Sequence, residues 1–215
     1  MEKLEFAIWW KEFIKSHKDD KDGGIEAIKH LKNIVSEFNT EKKTSFIDQL
    51  ILNDKPEIAS ELIELYGSKS QKEFIRNQLL ECIKRNDYNM LSFSFLKTVI
   101  NTYQEDDYNL LKLYYDKQPL FNRVIPTELF DIDKNLFLFA FQKMIIQYPE
   151  NDIYEYDGLL YLTNRLDILE FLIDNLDNKY ACQIQKFCKV KSSHSYINRD
   201  DWKQKLLSLA EKTRI

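Results

Sequence analysis

Apolar residues in this chain recur at intervals of three and four almost from end to end. In "GIEAIKHLKNIVSEF" the set Ile25, Ile28, Leu31, Val35 and Phe38 falls on one stripe, because side chains three or four apart share a helix face. "DKPEIASELIELYG" marks its own ends. Asp54 predicts a cap on the first turn, Pro56 stands where its missing N–H does no harm, Glu57 is placed to bond back, and Gly67 predicts a left-handed stop. In "SQKEFIRNQLLECIKRND", Ser70 and Glu73 predict a capping box ahead of Phe74, Leu79 and Ile83. Extended along the chain, the pattern predicts helices near 3–17, 24–38, 44–52, 55–66, 71–85, 89–103, 108–117, 134–147, 153–162, 165–176, 179–190 and 201–212. Four Gly, four Pro and scattered Val leave little material for sheets.

One long link, "DKQPLFNRVIPTELFDID", reads as irregular because Pro119 and Pro126 interrupt helix on both sides. It keeps Leu120, Phe121, Val124, Ile125, Leu129 and Phe130, which a solvated linker would have lost, so a single domain over 1–215 is expected. The chain also repeats itself. Residues 91–108 aligned with 137–154 match at Phe93/Phe139, Phe95/Phe141, Lys97/Lys143, Ile100/Ile146, Asp106/Asp152 and Tyr108/Tyr154, where chance gives roughly one identity. The period of 46 residues suits a two-helix unit that must stack to bury its apolar face. The expected fold is therefore all-α, an irregular α-α superhelix built as a HEAT/armadillo-like helix-pair stack, with a compact helical bundle as the alternative.

Composition narrows the function without naming it. The formal net charge is −4, which gives no general attraction to a phosphate backbone. Residues 101–180 hold seven basic against fifteen acidic side chains, whereas 181–215 hold eight against three. Cys82, Cys182 and Cys188 are an odd number without regular close spacing, which predicts buried thiols in a reducing compartment. The opening "MEKLEFAIWWKEF" lacks the basic start and longer apolar run of a secretory leader. "LFLFAF" at 136–141 falls far short of a membrane span, which needs about 20 residues. A cytoplasmic protein with no membrane partner is expected.

Patterns that suggest chemistry fail on inspection. "HKDDKDGGIEAIKH" puts Lys18 and Lys29 where a calcium loop needs its first and last acids. Cys182, Cys188 and His194 are spaced by six, which points the two thiols to different helix faces, and no close Cys pair exists to clasp zinc. Ser193, His194 and Ser195 are loop neighbours without an orienting acid. His17 ends the first helix, where a cation suits the dipole. On that helix Phe6, Ala7, Trp10, Phe13 and Ile14 form the expected inward stripe, with Trp9 on the polar side. Phosphate-binding glycine loops and paired-histidine metalloprotease motifs are absent from the sequence. No cofactor, no metal and no catalytic residue is expected.

The acidic turns carry the functional expectation. Glu105, Asp106, Asp107 and Tyr108 close the first repeated segment, and Glu150, Asp152, Tyr154, Glu155, Tyr156 and Asp157 close or follow the second. Stacked units would bring the two turns about 10 Å apart on one edge, forming a negative, Tyr-rich ridge suited to a basic protein partner. The paired segments "FSFLKTVINTYQEDDY" and "FAFQKMIIQYPENDIY", in a mildly acidic chain rich in Tyr and Phe, resemble the α-helical immunity proteins of bacterial polymorphic-toxin and contact-dependent inhibition systems. They also resemble HEAT-like repeat proteins generally. The resemblance implies a stoichiometric inhibitor, not an enzyme, that blocks a toxin domain, and it carries over no functional residue. The alternatives are a small-molecule enzyme with a pocket between helices, a helical-repeat adaptor or scaffold, and nucleic-acid binding through Lys186, Lys189, Lys191, Arg199, Lys203 and Lys205.

Overall fold

A computed structural model describes residues 3–17, 25–117, 127–145, 165–193 and 200–212. Every regular element among them is an α-helix, and no strand occurs among the described residues. In chain order these are α1 (Lys3–Ser16), α2 (Ile25–Ser36), α3 (Thr40–Leu52), α4 (Pro56–Tyr66), α5 (Lys69–Arg85) and α6 (Met90–Asn101). They continue with α7 (Asp107–Lys117), α8 (Glu128–Ile132), α9 (Lys134–Ile145), α10 (Leu166–Asn175), α11 (Asn178–Ser192) and α12 (Asp200–Ala210). The all-α expectation holds. Where the sequence suggests a single domain, contacts gather into two compact units, Met1–Asp107 and Tyr108–Ile215.

In the first unit α4 packs on α3 and α6, and α5 packs on α6. Phe46, Ile47 and Leu50 of α3, Leu62 and Ile63 of α4, Ile75 and Leu79 of α5, and Phe95, Leu96 and Val99 of α6 are buried there. Burying each such side chain contributes about 1.5–3 kcal/mol, so this apolar interior is what joins helices that would be marginal alone. Lys32 of α2 reaches Glu61 of α4 at 2.7 Å. In the second unit α11 packs on α10 and α12, and α8 packs on α9. Ile168, Leu169, Leu172, Ile184, Phe187 and Leu206 fill its interior. The repeated segments bury matching positions, each within its own unit: Phe95 and Phe141, then Val99 and Ile145. The latter part of the second copy lies outside the described residues.

Several local expectations are corrected. Asp54 does not cap α4; its own backbone is left-handed (φ 59°) and Lys55, without a side-chain cap bond, precedes the helix. Gly67 stops α4 in an extended conformation (φ −65°). Glycine is needed there because a Cβ would come within 2.6 Å of the Ile63 carbonyl oxygen. The left-handed stop belongs instead to Asn86 at the end of α5 (φ 54°), a residue whose short amide tolerates that region. The capping box at α5 is Ser68 with Gln71, two residues before the expected pair. The link at 116–133 is not wholly irregular, since α8 lies in it with Leu129 and Phe130 buried.

The first helix is rotated from its expected face. Phe6 and Phe13 are buried and Trp9 and Trp10 half-buried, while Ala7 and Ile14 are exposed. Trp9 stacks on Phe13 at 5.2 Å and meets Phe46 edge-on at 5.2 Å. The largest rings win the inward face because each buries far more area than Ala or Ile. Of the three thiols expected inside, Cys188 is buried, Cys82 is half-buried and Cys182 is exposed.

Candidate functional site at the acidic turn

The turn between α6 and α7 is built on a buried ion pair that begins on α5. Ser68 accepts from the Gln71 N–H at 3.3 Å while the Gln71 side-chain oxygen accepts from the Ser68 N–H at 3.0 Å. The Gln71 amide also donates to the Thr44 carbonyl and to Asp48, at 3.0 and 2.7 Å, which sets α5 against α3. From the inward face of the same helix Arg76 extends its guanidinium to Asp107. Nε and one terminal nitrogen each donate to a different carboxylate oxygen at 2.6 Å. That terminal nitrogen also donates to the Thr102 carbonyl at 2.9 Å, at the end of α6. Side-chain exposure is 10% for Arg76 and 3% for Asp107.

Asp107 also holds the turn from within. Its carboxylate accepts from the Gln104 N–H at 2.8 Å, and its own N–H donates to the Gln104 carbonyl at 2.8 Å. Glu105 and Asp106, between these reciprocal bonds, are both exposed. Among the described residues neither has an ion-pair partner. Asp107 must therefore be withdrawn from the partner-facing set: a carboxylate bonded in two places by Arg76 and shielded from water has nothing left to offer another molecule. Tyr108 is half-buried, with the Lys112 ammonium 5.8 Å from its ring centre. Glu150, Asp152, Tyr154, Glu155, Tyr156 and Asp157 lie outside the described residues.

Elsewhere among the described residues of 101–180, Asp116, Asp131, Asp167, Glu170 and Asp174 are answered by cations. Arg165 bonds Asp131 at 2.6 Å and Asp167 at 2.8 Å, which holds the Asp167 carboxyl below the usual carboxylate range. Lys143 pairs with Asp116 and lowers its pKa in the same way. Lys212 joins Asp174 and Glu170 at 2.7 and 2.9 Å and is raised by both. Glu105 and Asp106 are adjacent exposed charges without an ion-pair partner among the described residues, on a turn held by the Asp107 bonds. An open groove of about 360 Å³ between α3 and α5, lined by Asp48, Ile51, Leu52, Ser70, Gln71 and Phe74, is a separate feature of the first unit.

In comparison with known proteins, no protein-family model, no curated protein and no solved structure matches the chain. Among the described residues no helix is long and apolar enough to cross a membrane.

Proposed function

We propose that this chain is a protein-binding α-helical repeat protein, an immunity protein that binds and neutralises a cognate bacterial toxin domain of basic character. The observation that carries the reading is the Arg76–Asp107 pair, because it fixes the turn and leaves Glu105 and Asp106 pointing outward. A pre-set charged turn loses little freedom on docking, and exposed acids speed the encounter with a basic surface. The segment at 150–157, acidic and Tyr-containing in sequence, is proposed as a second partner-facing stretch. The reading has no catalytic step; inhibition follows from occupying the toxin's substrate groove.

The test begins with the tagged full-length chain, used to capture its partner from the native cell, and with expression of that partner alone. The partner should arrest growth, and the chain should restore it. Glu105→Lys with Asp106→Lys should slow association about tenfold at low salt and flatten its salt dependence. A non-toxic partner, or an association rate untouched by the double reversal, removes the proposal.

A further inference from the structure

Away from the acidic turn, the first unit brings two histidines together. His17 follows the last turn of α1 and His30 lies on α2, with His30 Nδ1 3.0 Å from His17 Nε2. His17 Nδ1 is 2.9 Å from the Phe13 carbonyl oxygen and 3.0 Å from Ser16 Oγ. A carbonyl only accepts, so Nδ1 of His17 carries the proton and Nε2 of the neutral ring turns its lone pair toward His30. Donation from the far ring nitrogen to a backbone carbonyl is how metal-ligating imidazoles are oriented.

The spacing fits one ion between the rings. Their centres are 5.1 Å apart and their planes 52° apart. Two imidazoles on a tetrahedral ion, each with a metal–nitrogen bond of about 2.05 Å, have donor nitrogens about 3.3 Å apart and ring centres about 5.2 Å apart. A shift of a few tenths of an ångström converts the hydrogen-bonded pair into that arrangement, and His30, exposed where His17 is half-buried, has room to make it. Phe13 backs the pair, its ring centre 4.4 Å from that of His17 and 5.9 Å from that of His30.

We propose that His17 and His30 form a two-imidazole site for a borderline divalent transition-metal ion such as Zn²⁺, Ni²⁺ or Cu²⁺. Nitrogen donors select this class over Mg²⁺ and Ca²⁺, which require oxygen ligands. The ion takes the place of the proton shared between the rings; His30 carries its proton on Nε2 and stays neutral. Among the described residues no third His, Cys, Asp or Glu completes a ligand set. The two imidazoles fill two positions of a tetrahedral ion, and water or further donors take the others.

The test titrates metal-stripped full-length protein with Cu²⁺ followed by electron paramagnetic resonance, then with Zn²⁺ and Ni²⁺ against a coloured chelator. One ion per chain with nitrogen hyperfine structure is expected. His17→Gln and His30→Gln should each weaken binding at least tenfold, and His194→Gln should leave it unchanged. Ion-free melting curves identify any variant that has lost its fold; His30, exposed on α2, then decides the matter alone. Absence of a saturable site, or affinity unmoved by His30→Gln, overturns the assignment.

Discussion

Arg76 and Asp107 show how little a residue's identity says about its task until its neighbours are known. Removing one partner of a buried, doubly bonded pair leaves a charge without water or counterion, so Arg76→Met should cost about 3–5 kcal/mol in denaturant unfolding. Arg76→Met combined with Asp107→Leu should recover most of that loss, because apolar replacement of both ends removes the stranded charge. Cysteine 188 makes a second residue-scale case. Burial pushes its thiol up from the ordinary 9.0 to about 12, so the folded thiol stays neutral where the unfolded chain ionises. The sign follows: this site leaves stability unchanged below about pH 9 and lowers it as pH rises toward 12. With a thiol reagent at pH 8, Cys182 should label first and Cys188 only on unfolding; simultaneous labelling of both would contradict the burial.

Helices were legible in the sequence because their periodicity is a property of many residues at once, whereas their ends depend on one or two. The helices α3 and α5 start four and two residues before the places where a simple apolar count puts them. At α5 the reason is visible. Ser68 and Ser70 are equally good caps in isolation, but only the register that starts at Lys69 places Gln71 to close the box and reach Thr44 and Asp48 on α3. Gln71→Ala should therefore lower stability by about 1–3 kcal/mol, read as a shift in urea midpoint, since it removes a cap and leaves a buried α3 contact unmade. A change within the error of the midpoint would mean that water replaces the amide there. The helix α8 was illegible for another reason: five residues give little more than one turn, too few for a period to emerge. It is held by tertiary contacts, with Phe130 edge-on to Phe137 and Phe171 at 5.3 and 5.2 Å and Asp131 bonded to Arg165.

At the level of the whole molecule, the charge count located the acidic region but not which acids face out. Glu105 and Asp106 are exposed, as the sequence reading expects, whereas the burial of Asp107 was not legible, because nothing in "QEDDY" announces that an arginine 31 positions earlier will claim the third acid. The histidine pair was illegible in the same way, since His30 meets His17 across 13 positions only in the folded chain. The helices gather into two compact units, and this predicts how a local injury spreads. Arg76→Met should raise amide exchange across α4, α5 and α6 while α10, α11 and α12 keep their protection. Equal loss in both sets would show that the units open together.

The three consecutive acids of the turn, alike as letters, live under different rules. Position 107 is a keystone that can change only together with its arginine, while 105 and 106 can be rewritten without disturbing the arch around them. A lineage under pressure to match a changing adversary would thus find two adjacent free characters displayed on a frame that does not move.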